Sequence, residues 1–102
     1  LKEGGLPTAI LAAYDDIAIG AVKAVHDAGL KVPDDISIIG IDNIRVTEYY
    51  NPTLTSVAGP VEEMGRIALK LLFKKIKSPE YNVIQNVTLT PRLITRGSVK
   101  KV

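Results

Sequence analysis

Two short apolar runs with an amphipathic stretch between them limit what this 102-residue chain can become. Thr8-Ala9-Ile10-Leu11-Ala12-Ala13 lies between Pro7 and Tyr14-Asp15-Asp16, and Ile36-Ser37-Ile38-Ile39-Gly40-Ile41 is β-branched apart from Ser37 and Gly40. Both suit strands buried on their two faces, although Ala is a poor strand former. Between them, Ile17, Ala21, Ala24, Val25 and Ala28 recur at helical spacing and predict a helix from Asp15 to about Ala28. Gly29 supplies a left-handed cap, Leu30 folds back on the last turn, and Pro33 prevents resumption. Strand, helix and strand make a βαβ unit, with parallel strands and a right-handed crossover.

Beyond this unit, Val46-Thr47-Glu48-Tyr49-Tyr50 reads as one or two helical turns stopped by Asn51-Pro52, and Leu54-Thr55-Ser56-Val57 as a short strand. Ala58-Gly59-Pro60 is a bend, and Pro60 suits the start of a helix running from Val61 to about Lys77. Its apolar face is Val61, Met64, Ala68, Leu71, Leu72 and Ile76, and Glu62, Glu63, Lys74, Lys75 and Lys77 match the helix dipole. Asn86-Val87-Thr88-Leu89-Thr90 alternates as a half-exposed strand does, Leu93-Ile94-Thr95 suggests another, and Gly97 to Val102 reads as a fraying tail.

Composition removes whole classes. With no Cys and one His, a disulfide scaffold and a Cys- or His-built metal site are excluded, and no metal or cofactor is expected. Thirteen basic against eleven acidic residues, net +2, argue for neither nucleic acid nor an anionic membrane as a direct partner of this stretch. No apolar run approaches the roughly 20 residues of a spanning helix. The length allows one small domain.

In an open parallel sheet, ligands gather at the carboxyl ends of the strands. Two runs end in polar clusters there, Tyr14-Asp15-Asp16 and Asp42-Asn43, and parallel strands bring both to one edge. One of Asp15 and Asp16 is expected as a helix N-cap. Asp42 opens no long helix, which leaves an Asx turn or a ligand contact. His26 and the Lys cluster read as solvated, and Arg92 and Arg96 as too isolated to define an anion site. No nucleophile set, phosphate-cradling loop or metal-ligand spacing is present, so the chain is not read as an enzyme.

The same residues, in order, resemble the LacI/GalR family of bacterial transcription regulators. The resemblance rests on Pro7-Thr8-Ala9-Ile10, Asp15 to Ala21, Gly29 to Gly40, Asp42-Asn43, Tyr49 to Val57, Glu63-Met64-Gly65, and the close Pro91 to Ser98. It covers almost the whole chain. The implied fold is an α/β, parallel-sheet, periplasmic-binding-protein-like (type I) fold, here as an incomplete C-terminal fragment without the helix-turn-helix. Residues 1–57 would belong to the second lobe, 58–90 would return to the first, and 91–102 would form a closing strand and tail.

By that resemblance, Asp42 matches the effector-contacting acid, Tyr14 stands where an effector-contacting Asn is common, and Asp15 is grouped with them at the effector site while also fitting the N-cap role. Ile19, Val22 and Tyr50 match positions that pair with a second subunit, with Tyr49 next to them. Ala58, Gly59, Thr90 and Pro91 fall at the hinge, with Gly59 in place of a common Gln. The implied function is effector sensing in a cytoplasmic homodimer. A sugar or nucleobase-like small molecule binds between two lobes and alters affinity for operator DNA, which a region outside this chain reads. An extracytoplasmic sugar-binding protein of the same fold is the alternative, and a phosphoacceptor receiver-like domain a more distant one.

Overall fold

The computed structural model describes residues 4–102. Its elements are β1 (Ala9–Leu11), α1 (Asp15–Asp27), β2 (Ser37–Ile41), a 3-10 helix (Arg45–Glu48), β3 (Thr55–Ala58), α2 (Val61–Lys77) and β4 (Arg92–Ile94). The strands form one four-stranded sheet in the order β1-β2-β3-β4. β1 and β3 flank β2 in parallel, and β4 runs antiparallel to β3 with Ala58 opposite Arg92. The chain divides into two compact units, Leu1–Ala58 with Arg92–Val102, and Gly59–Pro91.

The first unit is built on the βαβ motif. α1 ends as its sequence dictates: Gly29 takes φ +79°, its N–H reaches the His26 carbonyl at 2.9 Å, and the Leu30 N–H reaches Val25 at 3.0 Å. These two bonds are a Schellman closure, for which glycine has no steric cost. The core gathers Ala12, Ala18, Val22, Val25, Val32, Ile36, Ile38 and Leu54, with Ile10, Ile19, Leu30 and Tyr50 packed against it.

Which face of α1 is buried differs from the sequence reading. Ala18, Val22 and Val25 face the sheet, while Ile17, Ala24 and Ala28 are exposed. Small alanines fit either side of such a helix, so the placement of Ile38 and Leu54 decides the face rather than α1's own pattern. Val22, placed by the family resemblance at a subunit interface, is fully buried in this core and presents no surface to a second chain.

β1 is likewise not buried on both faces. Register and alternation put Leu11, Ile39, Ile41, Val57 and Leu93 on one side of the sheet, away from Ile38, Gly40 and Ser56. Leu11 and Leu93 on that side are 69% and 57% exposed. Double-sided burial is a property of what packs on a sheet, which a strand's composition does not contain.

The terminal segment is not a fraying tail. Ser98 is fully buried. Its carbonyl accepts the Ile38 N–H at 2.9 Å, and its Oγ donates to the Ile38 carbonyl at 2.5 Å and accepts the Thr55 N–H at 2.8 Å. The Lys100 N–H reaches Ser37 Oγ at 3.2 Å. The tail therefore serves backbone groups of β2 and β3 that their mutual ladder leaves over.

The second unit is α2 and the extended segment after it. α2 spans the predicted residues, yet none of its side chains is buried. Met64, Ile67, Ala68 and Leu71 line a shallow apolar groove with Val87 and Leu89. Lys74 Nζ lies 4.4 Å from the centroid of the Tyr81 ring. The alternating run 86–90 forms no strand, because a strand exists by bonding to a neighbour and this unit contains no sheet.

Candidate functional site

The carboxyl ends of β1 and β2 share one edge of the sheet, and each carries a candidate side chain. Tyr14 follows β1 in extended conformation at φ −161° and occupies the N-cap position of α1 without a side-chain cap bond. Its ring is part-exposed at the rim. Asp42 follows β2 directly. Its N–H donates to the Val57 carbonyl at 2.9 Å, extending the β2–β3 ladder by one rung, and its side chain is exposed.

The backbone at this point is unusual. Asp42 has φ +109° and Asn43 φ +58°, two consecutive non-glycine residues in left-handed conformation. Each such residue costs on the order of 1–3 kcal/mol and persists only where its surroundings over-determine it. Those surroundings are visible. The Asn43 N–H donates to Ser56 Oγ at 2.9 Å, and the next N–H, of Ile44, donates to Asp15 Oδ2 at 2.8 Å. The Ser56 hydroxyl donates in turn to Asp15 Oδ1 at 2.7 Å.

Asp15 is thus neither the N-cap nor an effector contact that the sequence reading makes it. It is the first residue of α1, is fully buried, and spends both carboxylate oxygens inside the fold. Near the positive end of α1 a carboxylate is favoured, and here it staples the helix start to the Asp42 turn and to β3. Asp16 beside it is exposed.

Gly40 makes room for this staple. A Cβ at Gly40 would lie 2.1 Å from Asp15 Oδ1 and 3.2 Å from Asp15 Cα. A glycine inside an otherwise β-branched strand marks a close approach; that signal is present in the sequence, although what approaches is not. Sequence reasoning also missed Ser56, which reads as an ordinary strand residue, and Arg96, which stands alone in sequence. The Arg96 guanidinium bonds Asn43, Thr47 and Leu54.

Of the remaining candidates, Tyr49 is 74% exposed, Tyr50 is half-buried against the core, and Ile19 is half-buried on α1. Ala58 ends β3, and the boundaries between the two units fall at Ala58–Gly59 and Pro91–Arg92, with Thr90 the residue before. Among the described residues there is no group of three or more His, Cys, Asp or Glu that could hold a metal, and no helix long and apolar enough to cross a membrane.

A mostly parallel sheet with its polar cluster at the carboxyl edge is the architecture of a ligand-binding α/β lobe. Residues 1–99 match the family described as periplasmic binding protein-like domain, and the chain belongs to that family. Within it, the likeness is to LacI-family regulators. The chain is 42% identical over 102 residues to the HTH-type transcriptional repressor PurR of Histophilus somni (strain 129Pt), covering 98% of this chain and 30% of that protein. It is 35% identical over 99 residues to the ribose operon repressor of Haemophilus influenzae, covering 97% and 30%. A solved LacI-family regulator from Enterococcus faecalis V583 with bound ribose superposes with a TM-score of 0.85 at 39% identity, covering 93% of this chain and 35% of that one. The chain therefore spans about a third of the length of the curated relatives it matches.

Proposed function

We propose that this chain is the effector-sensing part of a bacterial transcription regulator. It supplies one wall of a small-molecule site between two lobes, and occupancy of that site changes affinity for operator DNA. The observation that carries this reading is the Asp42 turn. An exposed carboxylate is held in left-handed backbone at the carboxyl edge of a parallel sheet, and Asp15, Ser56 and Asn43 around it are bonded to one another. A carboxylate presented in this way suits hydroxyl or N–H donors of a sugar or nucleobase-like ligand. The part-exposed Tyr14 ring offers such a ligand a stacking face.

In this reading unit Leu1–Ala58 with Arg92–Val102 belongs to one lobe and Gly59–Pro91 to the other, with Ala58, Gly59, Thr90 and Pro91 at the hinge. The effector favours the closed arrangement by its differential affinity for it. Ile19, Tyr49 and Tyr50 form part of a homodimer face, and the protein acts in the cytoplasm through a DNA reader outside this chain. The names of the relatives, repressors rather than enzymes, support a regulator without catalysis.

The test is Asp42→Ala in the intact regulator. Its operator affinity is measured with and without a panel of pentoses, hexoses, disaccharides and nucleobases. The variant should bind operator and lose its response to whichever compound moves the wild type. A retained response with unchanged effector affinity refutes the assignment.

A further inference from the structure

The most heavily bonded side chain near the rim is one that stands alone in sequence. Arg96 lies two residues past β4 with its side chain 14% exposed. Nη1 donates to Thr47 Oγ1 at 2.9 Å and to the Leu54 carbonyl at 2.8 Å, and Nη2 donates to Asn43 Oδ1 at 2.7 Å. Its backbone N–H donates to Thr55 Oγ1 at 2.9 Å. Glu48 stands 3.9 Å from Nη2. Thr47 is itself fully buried and donates its hydroxyl to the Ile44 carbonyl at 2.7 Å.

One guanidinium thus spans the Asp42–Asn43 turn, the 3-10 helix and the approach to β3. What it holds is a turn of two consecutive positive-φ residues, a backbone uncommon for L-residues and best tolerated by Asn and Asp. The second hold is Ser56, whose Oγ accepts the Asn43 N–H. The two anchors come from different strands. Ser56 is on β3, which leads out of its unit at Ala58, and Arg96 follows β4, which begins where the chain re-enters at Arg92.

We propose that Arg96 is a positioning residue for Asp42, the carboxylate that contacts the effector. Together with Ser56 it fixes the left-handed turn that presents Asp42, and it ties that turn to both strands through which the chain passes between its units. This rests on the effector reading above. A planar fork with several donors can bridge Asn43, Thr47 and Leu54 at once, which a single ammonium cannot.

The first arm of the test needs no ligand. Hydrogen exchange of the intact regulator is followed by mass spectrometry over residues 42–48, β1 and α1. Arg96→Gln should speed exchange of 42–48 by about tenfold or more, as loss of bonds to a charged donor implies. Arg96→Lys should do so in part, while Asn43→Asp, which keeps an acceptor for the guanidinium, stays close to wild type. Arg92→Gln, at an exposed residue of β4, leaves the profile unchanged. Should Arg96→Gln not fold, Asn43→Ala removes the acceptor with Arg96 in place and must give the same local acceleration. Wild-type exchange of 42–48 in both variants, or equal acceleration through β1 and α1, overturns the proposal.

In the second arm, Arg96→Lys should weaken binding of the active compound of the same panel about tenfold, whereas Arg92→Gln binds it as the wild type does. A wild type that answers to none of those compounds overturns the effector reading and this one with it. Protection lost with effector affinity intact overturns this one alone.

Discussion

Gly40→Ala adds one methyl group, and the structure says where it goes. The Cβ would stand 2.1 Å from Asp15 Oδ1, 3.1 Å from Cγ and 3.2 Å from Cα. The first contact is far inside van der Waals range, the other two are tight by a few tenths of an ångström, and the carboxylate cannot swing aside freely. Its oxygens are committed to the Ile44 N–H at 2.8 Å and the Ser56 hydroxyl at 2.7 Å. Either Asp15 rotates and gives up those bonds, each worth about 1.5–3 kcal/mol to a charged acceptor, or α1 backs away from β2, with an overpacking cost of about 1–3 kcal/mol. The cheaper route is the second, at about 2 kcal/mol as the middle of its range. With an m-value of about 1–3 kcal/mol/M, the urea midpoint should fall by roughly 0.7–2 M. The decisive measurement is a double-mutant cycle. In an Asp15→Ala background the methyl meets neither Oδ1 nor Cγ, so Gly40→Ala should cost about 2 kcal/mol less than in the wild type. Additivity within about 0.5 kcal/mol would show that the glycine serves something other than the Asp15 staple.

Val22→Ala should lower stability by about 2 kcal/mol through loss of core packing, with the subunit affinity of the intact regulator unchanged in sedimentation; a weakened dimer with unaltered stability would return Val22 to the interface. Ser98→Ala removes the acceptor of the buried Thr55 N–H and should cost about 1–3 kcal/mol, read as a lower thermal midpoint, whereas a mere tail residue would be silent. In the 102-residue chain, amides of α2 should exchange much faster than those of α1, because no α2 side chain is buried while Ala18 and Val22 of α1 are fully so. Equal protection of the two helices by hydrogen-exchange NMR would contradict that picture.

Much of the architecture is local and was therefore legible. The helix from Asp15 ends at Gly29 because a left-handed closure wants glycine, and the helix from Val61 starts after Pro60 and ends by Lys77, as predicted. β1 and β2 pair in parallel, as a strand-helix-strand pattern requires. Asp42 was legible as a candidate from its place after a strand. The alternation of 86–90 misled, since period-two patterning states what a segment would do beside a partner strand and not whether one is there.

The candidate site was legible only in outline. Asp15 looks like a cap by its position before a helix, and its burial follows from Gly40, a residue distant in sequence, opening space for its carboxylate. Ser56 and Arg96 meet the Asp42 turn only because β3 lies beside β2 and β4 beside β3. Sequence by itself determined the two helices, the strands β1 and β2, the glycine closure of α1 and the edge at which polar residues gather, since each depends on neighbours within a few positions. Tertiary structure decided which face of α1 is buried, that the terminal segment completes β2 and β3, and which side chains hold the Asp42 turn. Those outcomes depend on core packing and on hydrogen bonds between groups 13 to 63 residues apart, and such contacts leave no periodic trace in the chain.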